Sequence, residues 1–63
     1  MNMEENFDYA KAIGRLEEIA RKVEDPQTGL DEMDKYLAES EELIAKCREY
    51  LRTARERLAE LDA

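Results

Sequence analysis

Between Leu30 and Leu61 the residues Leu30, Met33, Leu37, Ser40, Ile44, Cys47, Leu51, Ala54, Leu58 and Leu61 follow one another at alternating spacings of three and four. That rhythm places a continuous stripe, apolar except at Ser40, along one side of a single long helix. At about 1.5 Å of rise per residue, the helix is expected to be on the order of 48 Å long. No other segment of the 63-residue chain is long enough to cover it. A stripe left uncovered in water calls for a second surface, and this excess length is the main functional signal.

An earlier segment carries a shorter version of the pattern. Tyr9, Ile13, Leu16, Ala20 and Val23 recur at four-three-four-three, and Ala12 and Ile19 widen the stripe by one position. A helix is expected from about residue 6 to residue 24, with Asn6 as its N-cap and Glu4, Glu5 and Asp8 favouring the positive end of its dipole. Gly14 weakens its interior by about 1 kcal/mol relative to Ala, and either permits a close backbone approach or sits on the outer face. Pro26 disfavours a helical Asp25 and ends the segment. Thr28 followed by Asp31 resembles a capping box, which starts the second helix at Gly29 or Leu30.

The loop of residues 25–29 is short enough for an antiparallel hairpin. The expected fold is therefore all-α: residues 1–63 form one two-helix hairpin with coiled-coil or spectrin-repeat-like packing, the second helix (about 30–61) much the longer. Folded back, the first helix would reach from Leu30 to about Cys47, leaving Leu51, Ala54, Leu58 and Leu61 beyond it. Fully burying Leu51, Leu58 and Leu61 is worth about 1.5–3 kcal/mol each, which together rivals the ~5 kcal/mol of a marginal domain. A second row, Tyr36, Leu43 and Tyr50, repeats every seven residues one position before the stripe. It either completes the hairpin core or broadens an interface with another chain. The partner-binding residues expected on this reading are Tyr36, Leu43, Tyr50, Leu51, Ala54, Leu58 and Leu61.

Composition narrows the function. The net charge is −7 with no histidine, so the chain has no imidazole base, no histidine zinc motif and no Ser-His-Asp triad. Neither glycine sits in a phosphate-cradling loop. Adjacent carboxylates such as Glu17-Glu18 and Glu41-Glu42 point different ways on a helix, and Glu17 with Arg21 or Glu42 with Lys46 would form surface ion pairs. Cys47 is the one cysteine; it lies on the stripe and reads as a small buried hydrophobe in a reducing compartment. The acidic balance argues against direct nucleic-acid binding, although Lys46, Arg48, Arg52, Arg55 and Arg57 form a local basic stretch. No run approaches a membrane span, and the acidic start MNMEENFDY lacks a signal-peptide layout, so a cytoplasmic location is expected. No catalytic residue, metal or cofactor is expected.

Taken together, the segments resemble the exodeoxyribonuclease VII small subunit family. The first helix carries its succession of aromatic, Ala, aliphatic, Leu-Glu, Ile and aliphatic-Glu, here Tyr9, Ala12, Ile13, Leu16-Glu17, Ile19 and Val23-Glu24. The second opens on Leu30-Asp31-Glu32 and continues through Leu43, Cys47, Leu51 and Ala54 in the family's Leu-x3-Cys-x3-Leu-x2-Ala pattern. Asp25-Pro26 replaces the family's usual glycine after the first helix, and Ala54-Arg55 replaces its usual Ala-Glu. The resemblance implies an accessory subunit, in several copies, packed on helices of a separate large catalytic subunit that degrades single-stranded DNA to short oligonucleotides. It implies only indirect contact with that DNA. The alternative is a self-assembling helical adaptor, a homo-oligomer with no role in DNA chemistry.

Overall fold

The structure, a computed structural model, describes residues 7–62. It is an antiparallel pair of helices, α1 (Tyr9–Glu24, 16 residues) and α2 (Leu30–Asp62, 33 residues). The molecule measures 52 × 21 × 15 Å, and its long axis is that of α2, whose 33 residues span about 50 Å at the standard rise.

α1 begins later than the sequence pattern predicts. Asp8 is extended (φ −93°, ψ 97°), and its carboxylate accepts the Lys11 N–H at 2.9 Å. Its carbonyl accepts the Ala12 N–H at 3.0 Å. Asp8 is thus the N-cap, satisfying donors that no helical carbonyl can reach. Asn6, expected to hold that role, lies outside the described residues.

At the other end Asp25 adopts ψ 119°, the extended backbone imposed by the following Pro26. The Asp25 carboxylate accepts the Gln27 N–H at 2.9 Å, and its carbonyl accepts the Thr28 N–H at 3.0 Å, closing the turn. Thr28 departs from the expected capping box. Its hydroxyl donates to the Lys22 carbonyl at 2.6 Å, so it terminates α1 rather than starting α2. Lys22 also accepts the Asp25 N–H at 3.2 Å, and one carbonyl left over at the helix end therefore has two donors. The Gly29 carbonyl accepts the Met33 N–H at 2.9 Å to open α2, while Asp31 and Glu32 in the first turn complement its dipole.

The inward face of α1 is centred on Ala12 and Ile19, which are buried, with Tyr9, Leu16 and Val23 half-buried beside them. Ala20, counted in the stripe from its spacing, is exposed. Gly14 lies on the outer face: a Cβ there would meet nothing within 4 Å. Among the described residues no backbone has a positive φ, so neither glycine is held in place by conformation. On α2 the residues turned toward α1 are Met33, Tyr36, Ser40, Leu43, Cys47 and Tyr50. Cys47 is buried and unbridged. Ser40 is tolerated in this row because its hydroxyl donates to the Leu37 carbonyl at 2.8 Å.

Candidate functional site

Three apolar rows run along α2, and one helix cannot face all three. α1 lies over the Tyr36–Leu43–Tyr50 row and over Met33, Ser40 and Cys47 of the next. Tyr50 stacks on Tyr9 with ring centroids 5.3 Å apart and planes 13° from parallel, and Phe7 tilts against it at 5.7 Å. Both distances suit aromatic pairing. Tyr36 lies beneath the Arg15 guanidinium, 5.9 Å from the ring centroid. Leu43 lines a shallow open groove with Phe7, Lys11, Ala12 and Arg15. The structure thus places Tyr36, Leu43 and Tyr50 half-buried in the seam of the hairpin.

Arg15 is the polar clasp of this seam. Its Nε and Nη2 donate to the two carboxylate oxygens of Glu39 at 2.6 and 2.8 Å, and Nη1 donates to Glu18 at 2.8 Å. A two-pronged bond of this kind fixes orientation as well as attraction. Hydrogen bonding to Glu39, then to Glu18, holds the Arg15 pKa above its ordinary value. The same bond holds the Glu39 carboxyl below the usual range. Sequence inspection missed this pair, because local spacing rules see only partners three or four residues away. Of the local pairs expected, Lys46 meets Glu42 at 3.4 Å, whereas Glu17 and Arg21 form no ion pair. Arg52 instead reaches back to Glu49 at 2.6 Å, and that hydrogen bond raises its pKa. In each case the shift keeps the group charged, so none of the three is poised for proton transfer near neutral pH.

The third row is left outside. Leu30, Leu37, Ile44, Leu51 and Leu58 retain 80, 45, 40, 39 and 62% exposure, and Leu61 retains 81%. The stripe was expected to be covered as far as Cys47 and free only beyond it. Instead α1 lies to one side, and the free row runs the whole length of α2. Past Tyr50, α1 no longer covers the other side of α2. Ala54 is half-buried there, and Leu51, Leu58 and Leu61 are exposed. Lys46, Arg48, Arg52, Arg55 and Arg57 are also exposed. Among the described residues no three metal-binding side chains converge, and no helix is long and apolar enough to cross a membrane.

These features define a helical hairpin with one arm extended and an apolar row exposed along it. Residues 9–60 match the family model described as exonuclease VII small subunit. The exodeoxyribonuclease 7 small subunit of Chlamydia abortus (strain DSM 27085 / S26/3) is 39% identical over 57 residues, covering 90% of this chain and 76% of that relative. No solved structure matches the chain. The chain belongs to the exonuclease VII small subunit family.

Proposed function

We propose that the chain is a non-catalytic subunit of an exonuclease VII-type complex, packing on helices of a large catalytic subunit that degrades single-stranded DNA to short oligonucleotides. The observation that carries this reading is the arm of α2 beyond Tyr50. There Ala54 and Leu61 face the side that α1 has vacated, with Leu51 and Leu58 at its edge. Removing the exposed area of Leu61 from water is worth about 1–2.5 kcal/mol, and the near edges of Leu51 and Leu58 add to it. A helix of the large subunit continuing the line of α1 would supply that cover. Contact with DNA falls to the partner, since a chain of net charge −7 releases few counterions from a phosphate backbone.

The test is co-purification with the large subunit after Ala54→Asp and Leu61→Asp together. Both positions lie at or beyond the end of α1, so the isolated variant should keep its helicity by circular dichroism. Loss of the large subunit with helicity intact is the expected result. Full retention of the large subunit would overturn the proposed docking surface.

A further inference from the structure

Four residues after Leu30, Leu37, Ile44 and Leu51 come Asp34, Glu41, Arg48 and Arg55. This charged row flanks the exposed apolar row on the side away from α1, and all four residues are exposed. Its order is two acids followed by two bases. Among the described residues none of the four has an ion-pair partner in its own chain, and the sequence explains why. The neighbours of Glu41 at three and four residues are Leu37, Ala38, Ile44 and Ala45. Those of Arg48 and Arg55 are apolar or Arg52. Elsewhere on α2, by contrast, Glu42 with Lys46 and Glu49 with Arg52 do pair.

We propose that this face binds a second copy of the chain, antiparallel, about a two-fold axis at Ile44. In that arrangement Leu30 lies opposite Leu58 of the second copy and Leu37 opposite its Leu51, while the two Ile44 side chains meet at the axis. Asp34 comes opposite Arg55 of the second copy, and Glu41 opposite its Arg48. Two-fold symmetry makes each contact off the axis twice, as in any interface built from one patch on both subunits. Flanking charges commonly set orientation in paired helices. A parallel pair in register would put the two charged rows on opposite edges of the seam, where they cannot pair. Ala38 and Ala45, one place after Leu37 and Ile44, leave room for close approach on the far edge. The pairing does not depend on the large-subunit reading: Ala54 and Leu61 stay open at both ends of the pair.

The experiment is sedimentation equilibrium of the isolated full-length chain, with helicity followed in parallel. The native chain is expected to dimerise. Glu41→Arg alone or Arg48→Glu alone, each placing like charges together at two symmetric sites, should weaken the dimer at least tenfold. The double reversal should restore it to within a few-fold of the native value. Spin labels at position 59 should lie about 45 Å apart in the antiparallel dimer. A chain that stays monomeric at all concentrations, a dimer indifferent to the single reversals, or labels within about 20 Å would each overturn the proposal. Because no large subunit is present, these outcomes leave its docking surface to be judged separately.

Discussion

The stack of Tyr9 on Tyr50 closes the hairpin at the end remote from its loop, and a double-mutant cycle measures what it contributes. The rings are 5.3 Å apart and 13° from parallel, an arrangement worth about 0.5–1.5 kcal/mol beyond the area it buries. In a domain of this size about 1 kcal/mol moves the melting temperature by roughly 4–8 °C. The coupling alone should therefore appear as a shift of about 2–12 °C. Tyr9→Leu, Tyr50→Leu and the double variant keep an apolar side chain at each position while removing the rings. Urea and thermal unfolding, followed at 222 nm in an Arg48→Glu background, would report a single hairpin. The double variant should lose less than the two single variants together. If the single effects add to within about 0.3 kcal/mol, the rings do not act as a pair. The assignment of Tyr50 to the hairpin seam by stacking would then fail.

Two further outcomes follow from the same structure. Gly14→Ala should raise stability by about 0.8–1.0 kcal/mol, since Ala is the better helix former and its Cβ would meet open space; a decrease in the urea midpoint would show that something packs there. The Arg15–Glu39 clasp should make stability sensitive to acid. Glu39 has a folded pKa below its ordinary value, so its contribution is present above the unfolded pKa of about 4.3 and is lost as pH falls through the folded one. Glu39→Gln should flatten the fall in melting temperature as pH drops below the unfolded pKa, relative to the native chain. Equal slopes for the two would mean that solvent screens the pair completely.

The alternation of threes and fours from Leu30 to Leu61 was enough to identify α2, because a helix is a local object whose periodicity is written in neighbouring residues. Pro26 marked the break for the same local reason. The cap at Asp8 and the hydroxyl bond from Thr28 to Lys22 were less legible. Several polar residues near each helix end could have served, and the choice depends on where the chain turns. Arg15 and Glu39 stand 24 residues apart, and no local rule connects them.

The division of labour among the rows of α2 came from tertiary structure alone. With apolar residues in three adjacent rows, periodicity says that the face is broad but not which part of it α1 will occupy. The aromatic rings of Phe7 and Tyr9, the reach of Arg15 to Glu39 and the small side chains at Ala12 and Cys47 draw α1 toward Tyr36, Leu43 and Tyr50. Sequence by itself determined that the long helix has more apolar face than one short helix can cover. Only packing, in which one helix can fill the grooves along one side of another, decided that the row through Ile44 is left exposed.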